Sequence, residues 1–206
     1  AAPEDPERVL FIGMGGGIMP TFLRRAFPEA EIDIVELDGE IPEIAERFFG
    51  FEKDAKTRIV IRDARVFVNE SDDVYDLVFI DAYNGDYIPF HLTTVEFFQA
   101  VRSLLAPDGA VAVNIANFEN HEFIKREFKT LDHVFDAVNV FVCPRETNFV
   151  PIAGKRIDLD AETLRRRGGE LRRSRAKFNF DFDAMLGRRM SEEKWNRFLE
   201  NAETLT

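Results

Sequence analysis

Val9-Leu-Phe-Ile-Gly-Met-Gly-Gly-Gly17 decides how the rest of the chain is read. Val9 to Ile12 is a short continuous apolar run, as presented by a strand buried on both faces. Gly13, Gly15, Gly16 and Gly17 follow at once, and Ile18 to Phe27 reads as a helix with Pro20 tolerated near its start. Glycine between a strand and a helix permits positive φ and lets a ligand approach the backbone. Tight strand–helix packing alone rarely needs so many glycines. The loop fits a dinucleotide pyrophosphate or the cosubstrate of an adenosylmethionine-type enzyme.

Outward from this loop, strands and helices alternate. Ile32 to Glu36 is a second strand, Glu40 to Phe49 a helix stopped by Gly50, and Arg58 to Ile61 a third strand. A short helix over 64–69 leads to a fourth strand, Tyr75 to Ile80, ending at Asp81. After a loop over 82–92 come a helix from Thr94 to Leu105, a Pro107-Asp-Gly109 turn, and a fifth strand from Ala110 to Ile115. Glu119 to Leu131 is a helix. Phe135 to Cys143 and Asn148 to Ala153 are β-rich runs joined by four residues, a link that suits an antiparallel hairpin and not a parallel crossover. The expected fold is α/β: a doubly wound, mostly parallel, seven-stranded sheet closed by a C-terminal antiparallel hairpin. We expect one nucleoside-binding domain over 1–155 and a helical extension over 156–206 packed on it, docked through Phe178, Phe180, Phe182, Met185 and Leu186. The basic run 165–177 reads as a solvated helix face broken at Gly168-Gly169, and Ser191-Glu-Glu-Lys194 as the capped start of a last helix.

Doubly wound sheets bind ligands beyond the carboxyl ends of their strands, near the switch in strand order. That singles out the residues just after strands. Glu36 follows the second strand, where an acid can accept from both hydroxyls of a ribose; Asp38 is the local competitor, and spacing does not choose between them. Asp63 follows the third strand, placed to accept from an exocyclic adenine amine, to cap the helix at Ala64, or both. Asp81 follows the fourth, with Tyr83, Asp86 and Tyr87 close in sequence, a set able to grip a cationic amine and assist its deprotonation. His91 is a further candidate contact. His121, His133, Cys143 and Trp195 carry no assigned role.

Composition narrows the classes. The 206 residues hold 27 basic and 38 acidic side chains, a net charge of −11. Residues 151–206 carry 13 basic and 10 acidic side chains, which leaves 14 and 28 to residues 1–150. So acidic a body argues against nucleic acid and is compatible with a cationic amine. One cysteine and three scattered histidines give no disulfide and no zinc pattern, and no stretch has the length of apolar sequence that a membrane helix needs. A cytoplasmic compartment and a homodimer are the default expectations. The chain opens almost directly into a strand, which leads us to expect further sequence ahead of it.

Together, Val9–Gly17, Ile34-Val-Glu-Leu-Asp38, Arg62-Asp-Ala64, Tyr75–Ala82 and Leu105-Ala-Pro-Asp-Gly109 resemble the spermidine synthase family of polyamine aminopropyltransferases, on the class I, Rossmann-type adenosylmethionine-dependent methyltransferase fold. The resemblance covers roughly residues 6–155. It implies that Glu36 holds the ribose, Asp63 and Ala64 the adenine, and that Asp81 is the catalytic acid position. The cosubstrate-binding set is then Gly13, Gly15, Gly16, Gly17, Glu36, Leu37, Asp63, Ala64 and Asp81. Asp81 and Asp86 are the catalytic candidates, and Tyr83, Tyr87 and His91 the substrate contacts; no metal is implied. The cosubstrate is S-adenosylmethionine or its decarboxylated form, and the acceptor a small amine. Three departures from the family pattern stand out. Gly16 replaces an Asp of the glycine loop that binds the donor amine, Asn84 replaces a second loop Asp, and the family's N-terminal β-rich domain is not in this sequence. Aminopropyl transfer is the family reading. Methyl transfer is the first alternative, and a catalytically silent nucleoside-binding module the second.

Overall fold

A computed structural model describes residues 5–83, 88–116, 121–155, 160–174 and 182–206. Its strands are β1 (Arg8–Ile12), β2 (Glu31–Glu36), β3 (Thr57–Ile61), β4 (Tyr75–Ile80), β5 (Leu105–Val113), β6 (Ile115–Ala116), β7 (Ala137–Val142) and β8 (Asn148–Gly154). The helices are α1 (Ile18–Ala26), α2 (Ile41–Phe49), α3 (Ala64–Glu70), α4 (Val95–Leu104), α5 (His121–Val134), α6 (Ala161–Ser174), α7 (Phe182–Leu186) and α8 (Glu192–Leu199). The sheet runs β3-β2-β1-β4-β5-β8-β6, with β7 also paired to β8. The pairs from β3 across to β5 are parallel, and β8 runs antiparallel to β5, β6 and β7. Strand order reverses between β1 and β4.

Alternation along the strands divides the interior. Val9 and Phe11 of β1 pack in one apolar cluster with Leu23 of α1 and Ala45 of α2. Leu10 and Ile12 point the other way, into the larger cluster with Phe67 of α3, Phe97 of α4 and Phe128 of α5. Burial on both faces is why β1 reads as an unbroken apolar run.

Local chemistry sets the helix starts. Asp63 caps α3 by accepting the Val66 N–H at 3.0 Å, Thr94 caps α4 at Phe97, and Ser191 caps α8 at Lys194. Pro42 stands in the first turn of α2, and Gly50 ends that helix at φ 70°.

The structure corrects four expectations. The sheet has eight strands, because Ile115 and Ala116 form a two-residue strand paired with Phe149 and Asn148. The strand β5 begins at Leu105, before the expected turn: Tyr75 pairs with Leu105 and Leu77 with Ala110, so Pro107-Asp-Gly109 is absorbed as a bulge within the strand. The helix α6 runs unbroken through Gly168 and Gly169, started by Asp160, which accepts the Thr163 N–H, and bridged by an Arg166–Glu170 ion pair at 3.0 Å. Two glycines weaken a helix by about 1 kcal/mol each and need not end it.

The fourth correction concerns how the C-terminal region docks. Met185 is exposed, and Phe178 and Phe180 lie outside the described residues. Contact is made further along, by buried Met190 and Leu205 and by Trp195 and Phe198, whose rings lie 5.3 and 5.4 Å from Phe128. Met190 donates its N–H to Val140, covering the outer edge of β7. Leu205 donates to the Thr130 hydroxyl and accepts the Val95 N–H. Among the described residues, no helix is long and apolar enough to cross a membrane.

Candidate functional site

Gly13, Glu36, Asp63 and Asp81 follow β1, β2, β3 and β4, so the parallel register carries all four to one edge of the sheet. A cleft of about 520 Å³ opens there. Gly13, Gly15, Glu36, Leu37, Asp63, Ala64, Asp81, Tyr83 and His91 all line it. Asp38 lines it as well, but accepts the Glu40 N–H at the start of α2.

The Glu36 carboxylate is held from two sides. One oxygen accepts the Met14 N–H from the glycine loop at 2.9 Å, and the other accepts the Asp38 N–H at 3.0 Å. Each carboxylate oxygen has a second lone pair, so Glu36 can still accept two donors from a ligand. Tying the loop to β2 through this one side chain also fixes the distance between the loop and the acid. Ile32 to Val35 anchor Glu36, since all four are buried.

The glycines divide their tasks. Gly13 sits at φ 91° against Asp81, whose N–H donates to the Ile12 carbonyl. Gly17, at φ 68°, starts α1 and packs on Phe51. Gly16 lies beneath the Phe49 ring, and a β-carbon there would come within 2.8 Å of it. An Asp in this position, as the aminopropyltransferase pattern has it, requires that ring to move.

Asp63 is used twice within the protein: Oδ1 by the Val66 N–H and Oδ2 by the His91 Nε2 at 2.9 Å. Partial burial works against its charged form, but these two contacts and the Arg65 N–H outweigh it and hold the carboxyl below the usual range. Arg65 donates to the His91 carbonyl and the Thr94 hydroxyl, pinning the segment that carries His91. His91, expected as a substrate contact, is held at the Asp63 end of the cleft it lines.

Asp81 is exposed at the cleft. Its Oδ1 accepts the Asn114 amide at 2.8 Å, and the Asn114 oxygen in turn accepts the Asn148 amide at 2.7 Å. Oδ2 has no partner among the described residues. Tyr83 is placed differently from expectation: its hydroxyl donates to the Asn114 carbonyl at 2.8 Å and accepts the Ala116 N–H at 2.6 Å. Burial raises its pKa above the ordinary value, and its polar end is engaged at the β5–β6 junction while the residue lines the cleft. Asp86, Tyr87 and Asn84 lie outside the described residues. Asn114 and Arg65 escaped the sequence reading. Asn114 directly follows β5, so the same rule of strand ends, carried one strand further, picks it out.

A doubly wound sheet of this order, with a glycine loop at the β1/β4 switch and acids after β2, β3 and β4, defines a Rossmann-like methyltransferase fold. The chain belongs to the spermine/spermidine synthase family: residues 1–154 match the spermine/spermidine synthase domain. It is 39% identical over 145 residues to a polyamine aminopropyltransferase of Vibrio vulnificus (strain CMCP6), a match covering 69% of this chain and 48% of that protein. The chain thus spans about half the length of that relative. A probable spermidine synthase from Corynebacterium glutamicum shares the fold at a TM-score of 0.77 and 21% identity, covering 96% of this chain and 71% of that one. Human methyltransferase-like protein 13, solved in complex with SAH, does so at 0.74 and 24%, covering 85% and 86%.

Proposed function

We propose that this chain is a transferase domain that binds an adenosyl sulfonium donor and moves an alkyl group, aminopropyl in the family reading, from its sulfur to an amine. The observation that carries this reading is the convergence of Glu36, Asp63 and Asp81 on one cleft beside a glycine loop that a ligand can approach. The donor's own chemistry is that of a cationic sulfur whose carbon accepts a nucleophile while the neutral thioether leaves.

The chain's residues divide the remaining work. Glu36 receives the ribose hydroxyls. Asp63, held by Val66 and His91, and Ala64 border the adenine end. Asp81 holds the incoming ammonium through Oδ2, while Asn114 keeps Oδ1 fixed. One proton passes from the ammonium to the Asp81 carboxylate and on to solvent before attack, the new carbon–nitrogen bond forms as the carbon–sulfur bond breaks, and the C–S electron pair goes to sulfur. Most of the rate gain in such a displacement is alignment of donor and acceptor.

Methyl transfer is the second reading, and Gly16 favours it. No acid stands there to repel the carboxylate of intact S-adenosylmethionine or to attract the amine of its decarboxylated form. The test is calorimetric binding of both donors and of their thioether products, followed by mass analysis of products with a panel of amines. Aminopropylated products support the first reading, methylated ones the second. Donor binding with no product supports a silent nucleoside-binding module, and no binding of any adenosyl compound refutes all three.

A further inference from the structure

A second cavity, of about 410 Å³, adjoins the nucleoside cleft and shares Gly13, Met14, Gly15 and Asp81 with it. Its walls are of another character. Phe11, Phe79 and Val150 come from the sheet, and Ile18 and Met19 from the first turn of α1. The Phe11 and Phe79 rings stack with centroids 4.9 Å apart. Asp81 is the only charged side chain among the described residues that line it.

We propose that the acceptor is a monoamine with an apolar body, alkyl or arylalkyl, whose nitrogen meets Asp81 and whose body lies in this cavity. The inference rests on the reading of Asp81 as the group that holds the acceptor amine. One carboxylate can neutralise one ammonium. The second ammonium of a short diamine lies against Phe79 and Met19, where no acid stands among the described residues, and an unpaired charge at an apolar wall is strongly disfavoured. An apolar chain instead gains about fourfold in affinity for each methylene it buries. The cavity is continuous with the glycine loop and with the Asp81 oxygen that has no partner among the described residues, so a body lying in it extends away from a nitrogen held at Asp81.

The test is a calorimetric titration of the protein, saturated with the thioether product, using n-butylamine, n-hexylamine, 1,4-diaminobutane and 1,6-diaminohexane. Hexylamine is expected to bind at least tenfold tighter than 1,6-diaminohexane, and butylamine about tenfold weaker than hexylamine. Met19 is 47% exposed, so Met19→Glu adds an acid to the wall without disturbing the core. It is expected to bring the diamine level with hexylamine or ahead of it. A wild-type protein that prefers the diamine, shows no dependence on chain length or binds neither amine overturns the inference, as does an order that Met19→Glu leaves unchanged. Thioether binding is measured first: its absence overturns the nucleoside-site reading itself, whereas its presence with a diamine preference overturns the acceptor inference alone.

Discussion

Gly13 stands so close to Asp81 that a β-carbon on it would come within 2.3 Å of the Asp81 carbonyl oxygen. The two residues end β1 and β4, the neighbours at which strand order reverses. Contact between their backbones sets the start of the glycine loop against the catalytic candidate. Gly13→Ala must either push these strand ends apart or lose its conformation at φ 91°. We expect a loss of about 2–4 kcal/mol in unfolding free energy, together with weaker thioether binding. Gly15→Ala, where a β-carbon meets open space, should cost clearly less in the same denaturant titration.

Glu36 joins the glycine loop to the end of β2 through its bonds from Met14 and Asp38. Glu36→Ala removes the acceptors for both backbone donors and for a ribose. Thioether affinity should fall by about 1–3 kcal/mol, or roughly 5- to 150-fold, in a protein whose circular dichroism shows it folded. Unchanged affinity would put the ribose elsewhere.

Asp81→Asn keeps the shape of the side chain and removes its charge and basicity. Turnover of an accepted amine should drop by ~10²–10⁴-fold while thioether affinity stays within a few-fold. Asp86→Asn is the comparison. If turnover survives at Asp81 and collapses at Asp86, the catalytic acid is Asp86.

Asp33 lies at the opposite end of the sheet from the cleft, 5% exposed, with Arg58 at 2.7 Å, Arg8 at 3.0 Å and the Tyr75 hydroxyl at 2.8 Å. Burial alone would raise its pKa, but hydrogen bonds from Arg58 and Tyr75 and the charges of both arginines hold it below the usual carboxylate value. Its stabilising contribution is therefore complete above an unfolded value of ~3.9 and is lost as pH falls through the lower folded value. Asp33→Ala removes the buried acceptor shared by Arg8, Arg58 and the Tyr75 hydroxyl, leaving the two arginines with Asp73, and should cost ~1.5–3 kcal/mol at pH 7, with a smaller difference below pH 3. A difference that did not shrink in acid would assign the loss to packing.

Glu127 of α5 carries the opposite sign. It is fully buried, neither carboxylate oxygen has a partner among the described residues, and burial pushes its pKa up to about 8. The unfolded value is ~4.3, so folding is opposed increasingly as pH rises from about 4 to 8. Glu127→Leu, among Ile124, Phe128 and Leu131, should raise stability by ~2–4 kcal/mol at pH 8 and by little at pH 4. A pH-independent gain would contradict this account.

Much of the candidate cleft was legible from sequence because its parts are local. Glycines after β1 and acids after β2, β3 and β4 are read from strand ends, and parallel pairing then brings strand ends together whatever lies between them. Where local signals met tertiary ones, the local reading gave way. Pro107-Asp-Gly109 spells a turn, yet pairing with β4 on both sides of it draws it into β5 as a bulge. Gly168-Gly169 spells a break, yet α6 continues through it.

What sequence alone determined is the βα alternation, the closing hairpin, the glycine loop and the acids at three strand ends, since these depend on spacing along the chain. Tertiary structure decided what those side chains face. Glu36 and Asp38 are two residues apart and chemically alike; only the position of the Met14 N–H turns one toward the glycine loop, while Asp38 serves α2. Tyr83 and His91 share a loop with Asp81, but contacts from Asn114, Ala116 and Asp63 send one hydroxyl to the β5–β6 junction and one ring to the end of β3. The apolar cavity beside Asp81 assembles Phe11, Met19, Phe79 and Val150 from four distant elements, and no spacing in the chain records that they meet.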